Sequence, residues 1–308
     1  MDNLIQTEGL TKRYNGFQAV RDLSLCVKKG EIYGFIGLNG SGKTTTIRML
    51  LGMVKPTAGT CFISGEKVNL KNYAIWEKVG YMVETPYAYP ELTVKENLHA
   101  FRRLRLIADP KVVDEVMDRL KLTPYADKKA KNLSLGNAQR LGIAKALLHK
   151  PEILILDEPV NGLDPAGIVE IREFLQELAC NEGVAIFISS HLLTEIAKIA
   201  TKVGIIHEGR LVQEVDAIKL HHLLNQRLVL DMREKKAGLE ALASAGFAPF
   251  LNKAGFIEIY CKEAIHHPDD VARFLVYQGL APTKLAVEEE DLESYFLRVI
   301  GQKGDRLL

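Results

Sequence analysis

The run Ile32-Tyr-Gly-Phe-Ile36 leads straight into Gly37-Leu-Asn-Gly-Ser-Gly-Lys43-Thr44, and an apolar-periodic segment carries on to Leu51. An apolar stretch, a glycine-rich turn of spacing G-x-x-x-x-G-K-T and a periodic segment make a strand, a loop and a helix. Gly37, Gly40 and Gly42 let the backbone curl until its N–H groups converge on phosphate oxygens. The helix starting near Lys43 adds the positive end of its dipole. Lys43 brings a mobile charge to the β- and γ-phosphates, and Thr44 a hydroxyl to Mg²⁺. Asn39, Ser41 and Thr45 are the remaining candidate contacts of this loop.

A phosphate loop by itself names neither base nor reaction. The segment Ile153-Leu-Ile-Leu156-Asp157-Glu158 adds two carboxylates at the end of an apolar strand. The C-terminal end of an inner strand is the edge where α/β sheets bind ligands. Asp157 suits Mg²⁺ held through water, because that ion keeps part of its hydration shell. Glu158 is placed to polarise an attacking water. His191 follows Ile186-Phe-Ile-Ser-Ser190 at another strand end, where an imidazole can bond the γ-phosphate or that water.

Between and beyond these points the pattern alternates. Leu98, Phe101 and Leu104 begin a helical period that Val112, Val113, Val116, Met117 and Leu120 continue after Pro110. A further helix is expected from about Asn137 to Leu148. Helices are expected over 168–179 and 192–200, with strands at 184–188 and 203–206. Apolar strands separated by helices imply a sheet covered on both faces. The texture changes near Leu220. Strands at 228–232 and 283–287, helices at 235–244, 269–277 and 291–300, and a hairpin of 247–251 with 256–260 predict a small α+β domain.

The fold class expected is therefore α/β: a mostly parallel core sheet with an antiparallel N-terminal portion and a helical insertion at about 87–150, followed by the small C-terminal domain. The boundary is set at 1–218 and 219–308. The 308 residues suffice for both parts, and 40 Lys and Arg against 39 Asp and Glu leave no basic excess, so no nucleic-acid partner is expected. Cys26, Cys61, Cys180 and Cys261 show no metal-ligand spacing. The N-terminal MDNLIQTEGLTKRY lacks the apolar core of a signal peptide, and no window approaches the roughly 18 apolar residues of a spanning helix. A cytoplasmic protein is expected, reaching a membrane through a partner.

Residues 4 to 215 resemble the nucleotide-binding subunit of ATP-binding-cassette transporters. The glycine loop resembles that family's Walker A motif, and Ile153 to Glu158 its Walker B motif. Leu133-Ser134-Leu135-Gly136-Asn137 resembles the signature usually written LSGGQ, departing from it at Leu135 and Asn137. Asn161-Gly162-Leu163-Asp164 resembles the D-loop, His191 the switch histidine, and Tyr14 the aromatic that stacks on adenine. The resemblance implies a P-loop NTPase cassette that hydrolyses ATP with Mg²⁺. It also implies a pair of copies with two ATP molecules sandwiched between them. Ser134, Gly136 and Asp164 would belong to that shared site. A separate transmembrane permease would be the second partner, at the inner face of the cell membrane.

Glu84, in Tyr81-Met-Val-Glu84-Thr-Pro86, stands where most such subunits carry the Q-loop glutamine. As a carboxylate it joins Thr44 and Asp157 as a candidate Mg²⁺ contact, with a different charge beside the γ-phosphate. Glu84, Leu135 and the C-terminal domain resemble the branch for bacitracin and lantibiotic export or self-protection. The alternatives are a cassette for another substrate and a soluble non-transport ATPase of the same type. Against the latter stand the single cassette and the short interval between Thr44 and Asp157.

Overall fold

Asn15 and Gly16, at φ of 40° and 86°, turn the chain between β1 (Asn3–Tyr14) and β2 (Phe17–Lys28). Two consecutive positive φ values are what a two-residue hairpin on right-twisted strands requires, and Asn-Gly supplies them at low cost. The computed structural model of the protein describes residues 3–69, 71–84, 86–252 and 254–301. Residues 302–308 of the expected C-terminal domain lie outside the described residues. Contacts divide the chain into two units, Met1–Ile218 and Lys219–Leu308.

In the first unit the hairpin is followed by β3 (Ile32–Ile36), α1 (Lys43–Leu50), β4 (Ala58–Ile63) and β5 (Glu66–Lys67). A short α2 (Ala74–Glu77) leads to β6 (Val79–Met82). Three helices follow without a strand: α3 (Val94–Leu104), α4 (Lys111–Arg119) and α5 (Leu135–Leu147). The chain then returns through β7 (Ile153–Asp157), α6 (Pro165–Glu182), β8 (Ala185–Ser190), α7 (Leu193–Ala197), β9 (Lys202–His207) and β10 (Arg210–Asp216).

Two sheets result. One has the order β2-β1-β4-β5 and is antiparallel; the other has the order β10-β9-β3-β8-β7-β6. In the larger sheet only β10 runs antiparallel to its neighbour. Every residue of β3, β7 and β8 is buried, as strands covered on both faces must be. Tyr33 stacks on Phe187 with centroids 5.6 Å apart, and the aliphatic side chains of β1, β2 and α1 close over them. Because β3, β7 and β8 are parallel neighbours, their C-terminal ends lie side by side. That places Ile36, Asp157 and Ser190 along one edge.

Local chemistry sets the helix starts. Thr93 and Glu96 form a reciprocal capping box at the start of α3. Ser134 caps α5, accepting from Asn137 N at 3.3 Å, and Asp164 caps α6, accepting from Gly167 N at 3.0 Å with Pro165 at the first helical position. α5 thus begins at Leu135 rather than Asn137, and α6 at Pro165 rather than Ile168. α7 covers only 193–197 of the expected 192–200. Leu104, expected on the buried face of α3, is exposed. Strand β6 was not anticipated, because Val-Gly-Tyr-Met is short and Gly80 lies where a Cβ would overlap the Ala146 carbonyl of α5.

The second unit contains β11 (Gln226–Asp231), α8 (Lys235–Ser244), β12 (Phe250–Leu251), β13 (Ile257–Ile259), α9 (Lys262–His266), α10 (Pro268–Tyr277), β14 (Lys284–Glu289) and α11 (Leu292–Val299). Its antiparallel sheet has the order β12-β13-β11-β14. Leu228, Leu230, Ile257 and Ile259 pack with Leu242, Val271 and Leu275 in a core of its own.

Candidate functional site: a phosphate cleft at the sheet edge

The loop between β3 and α1 keeps its shape through its glycines. Gly40 and Gly42 have φ of 79° and 110°, and a Cβ on Gly42 would lie 2.5 Å from the Ala19 carbonyl oxygen. The loop bounds a cleft of about 540 Å³, lined also by Tyr14, Phe17, Glu84, Leu135, Gln139, Asp157, Glu158 and Asn161. Asn39, Gly40, Gly42, Lys43, Thr44 and Thr45 all face it. Gly37 and Ser41 lie in the loop behind this lining. The buried Ser41 hydroxyl has no hydrogen-bond partner among the described residues.

Lys43 is 6% exposed and donates to the Gly37 carbonyl at 2.6 Å. Its Nζ is 3.6 Å from Glu158 Oε1. Burial lowers its affinity for a proton, and the Glu158 and Asp157 charges oppose that shift. A buried ammonium held by carbonyls and a carboxylate is ready for anionic oxygens.

Asp157, 2% exposed, ends β7 and accepts two hydroxyl donors. Thr44 Oγ1 donates to Oδ2 at 2.9 Å, and Ser189 donates to Oδ1. Glu158 follows at φ 50°, a left-handed turn that carries its side chain off the strand line. Its N–H donates to the Ser189 carbonyl at 3.1 Å, and its Oε2 is 2.9 Å from His191 Nδ1. A proton on Nδ1 is the arrangement an ionised carboxylate requires, and it leaves Nε2 for a second partner. Lys43, Thr44, Asp157, Glu158 and His191 therefore form one connected group.

Thr44 and Asp157 present hard oxygen donors side by side, which is the donor chemistry Mg²⁺ takes. Among the described residues no cluster of three or more His, Cys, Asp or Glu forms a metal cage. A protein contribution of one hydroxyl and one or two carboxylates fits an ion that keeps waters and phosphate oxygens. Glu84 lines the same cleft at φ 59°, but its carboxylate is engaged by Arg48 of α1.

Ser134, Gly136 and Asp164 are not brought into this cleft; Ser134 and Asp164 cap α5 and α6 within the chain. Leu135 does reach it, and its side chain fills the space a Cβ on Gly162 would take. Tyr14 is 43% exposed at the cleft rim, with Lys12 Nζ 4.8 Å from its ring centre. Three contributors escaped the sequence reading. Phe17 pairs with Tyr14 across the Asn-Gly turn, and that turn was the signal that places both rings at one rim. Ser189 precedes His191 by two residues and carries the same strand-end signal. Gln139 is 4% exposed and its buried Oε1 has no partner among the described residues; its place two residues past the signature-like Leu133–Asn137 run is the signal that marks it.

Residues 20–161 match the ABC transporter family. The bacitracin transport ATP-binding protein of Enterococcus faecalis is 40% identical over 99% of this chain and 98% of its own length. The lantibiotic transport ATP-binding protein of Streptococcus pyogenes is 32% identical over 75% of this chain and its whole length. Among solved structures, an ATP-binding subunit of an ABC transporter aligns with a TM-score of 0.65 at 27% identity, covering 71% of this chain and 92% of that one. A dimeric bacterial ABC transporter cassette aligns with the same TM-score at 25% identity, covering 69% and 98%.

Proposed function

The chain belongs to the ABC transporter family as an ATP-binding subunit, an ATPase coupled to transport, and from that premise we propose that its cargo is a peptide antibiotic, exported or kept from the producing or resistant cell. The convergence of Lys43, Thr44, Asp157 and Glu158 on one cleft, with His191 bonded to Glu158, carries the hydrolytic part. The bacitracin relative, aligned over 99% of this chain and therefore through the C-terminal unit as well, supports the cargo class.

In this reading the loop N–H groups of Asn39, Gly40, Gly42 and Thr45 hold the phosphates, Gly37 and Ser41 shape the loop behind them with their own N–H groups on the Ser190 and Leu38 carbonyls, and Lys43 exchanges its carbonyl partners for β- and γ-phosphate oxygens. Tyr14 stacks on the adenine. Thr44 and Asp157 would hold Mg²⁺, which when bound would neutralise charge building on the phosphate oxygens. Glu158 accepts a hydrogen bond from the attacking water and orients it in line with the γ-phosphate. His191, fixed through Nδ1, presents Nε2 to that water or phosphate. Glu84 is the third oxygen contributor toward the metal.

Ser134 and Gly136 sit at the start of α5, a helix end suited to an anion that its own chain's cleft does not use. They and Asp164 are assigned to the ATP held by a second copy. The working assembly is a pair of these subunits on a separate permease at the inner face of the membrane. Residues 219–308 form an accessory domain for that assembly.

Glu158→Gln tests the reading. Hydrolysis is expected to fall by about 10²- to 10⁴-fold, while ATP and Mg²⁺ drive accumulation of a dimer seen by light scattering. A variant that stays monomeric with ATP would refute the pairing. Co-expression with the permease should raise resistance to bacitracin-type peptides in an ATPase-dependent way. Unchanged resistance from a functional pair would remove the cargo assignment and leave the ATPase standing.

A further inference from the structure

Arg48 on α1 and Glu84 at the cleft form an ion pair. Arg48 lies one helical turn beyond Thr44 on α1, so both project from the same side of that helix. Thr44, Asp157 and Glu84 line the cleft; Arg48 does not. The guanidinium therefore draws the Glu84 carboxylate away from the two oxygen donors that Mg²⁺ would use. Both partners are largely exposed, at 40% and 58% of their side chains, which makes the pair weak and exchangeable.

We propose that Arg48 is a positioning residue that competes with Mg²⁺ for Glu84. Resting on the ATP reading above, the inference concerns how the cleft handles its third carboxylate. Without metal, Glu84 swung inward would add a further negative charge to those of Asp157 and Glu158, and like charges there repel. Arg48 neutralises Glu84 in that state. With nucleotide and Mg²⁺ bound, the Glu84 carboxylate would exchange Arg48 for the divalent cation. Met82 and Pro86 pack at the flank of α5 where Gly142 has no side chain, with an added Cβ 2.5 Å from Met82 Sδ and 2.7 Å from Pro86 Cβ. Met82 and Pro86 are thus held against α5, and the exchange is made by the Glu84 side chain. A neutral glutamine at this position would have no such competition, so the device is specific to the glutamate.

The test measures binding of a non-hydrolysable fluorescent ATP analogue in EDTA and across a Mg²⁺ series. Arg48→Gln should lower the Mg²⁺ concentration at half-effect by roughly two- to five-fold, the range an exposed ion pair supports. Affinity in EDTA should be unchanged, Arg48→Lys should behave as the parent, and Arg48→Gln placed on Glu84→Gln should add nothing. A rise in the Mg²⁺ requirement, an equal shift in EDTA, or the same shift on the Glu84→Gln background would each overturn the inference. Metal-free binding that persists while the 48–84 pair has no influence removes this inference alone. A parent protein that binds no analogue at all removes the ATP reading as well.

Discussion

Asp157 offers a quantitative handle, because its two oxygens have one hydroxyl donor each. Ser189→Ala deletes the bond to Oδ1 and leaves Thr44 on Oδ2. The Ser189 hydroxyl also accepts from Glu158 N at 3.2 Å, but that N–H keeps the Ser189 carbonyl at 3.1 Å and is not orphaned. The loss is therefore confined to one bond on a buried carboxylate. Hydrogen bonds to charged groups contribute about 1.5–3 kcal/mol, and that is the destabilisation expected. Thr44→Val should cost a similar amount through the other oxygen. The double variant strips a 2% exposed carboxylate of both donors, and contacting residues of this kind couple by about 0.5–3 kcal/mol. Its destabilisation should exceed the sum of the singles by about 1 kcal/mol or more. Trp76, the single tryptophan, lies in the first unit, so its fluorescence during urea unfolding reports on the cassette alone. Nucleotide-free samples keep ligand linkage out of the comparison. A Ser189→Ala loss under about 0.5 kcal/mol, or strict additivity in the double variant, would refute the reasoning.

Gly40→Ala and Gly42→Ala should differ although both glycines have positive φ. Gly40 faces open space, so only the left-handed penalty of about 1–2 kcal/mol applies; Gly42 adds the collision with Ala19 and should lose nucleotide binding in a titration that Gly40→Ala survives. Burial, aided by the Arg105 charge, pushes the His149 imidazole down to about 4, while its Nε2 keeps the Val79 carbonyl at 3.1 Å. Below the ordinary histidine value of about 6.5 the unfolded chain takes a proton that the folded one refuses, so this contribution is intact above 6.5 and lost as pH falls toward 4. His149→Gln should flatten the fall in urea midpoint between pH 7 and 5; an unchanged slope would count against it.

The chemistry of the cleft was legible because it is written in contiguous segments. Gly37 to Thr44, Asp157-Glu158 and His191 each sit at a strand end, and parallel strands align such ends automatically. The second unit was readable for a similar reason, since Lys235–Ser244 and Gln226–Asp231 carry clean helical and strand patterns. What escaped depends on distant contacts. β6 exists because Gly80 admits α5 at close range, and no four-residue pattern announces that. The start of α5 was placed late because Leu-Gly-Asn is a poor helix opening until Ser134 caps it. Gln139 and Leu135 enter the cleft only because the first turns of α5 border it. Arg48 sits in the last turn of α1, and only the fold sets it beside Glu84.

The seating of Leu135 over Gly162 has a consequence for how such chains can diverge. A Cβ at 162 would lie 2.1 Å from Leu135 Cδ2, so 162 can take a side chain only after 135 has become smaller. A chain with glycine at 135, as in the usual form of the signature, has slack at 162; this one has spent that slack on a leucine. Position 135 can therefore shrink on its own, whereas 162 is closed twice over, by Leu135 and by its φ of 75°; libraries that randomise 162 alone should recover almost nothing but glycine, while paired randomisation should recover small residues at 135 alongside asparagine, a residue that tolerates the left-handed region, at 162.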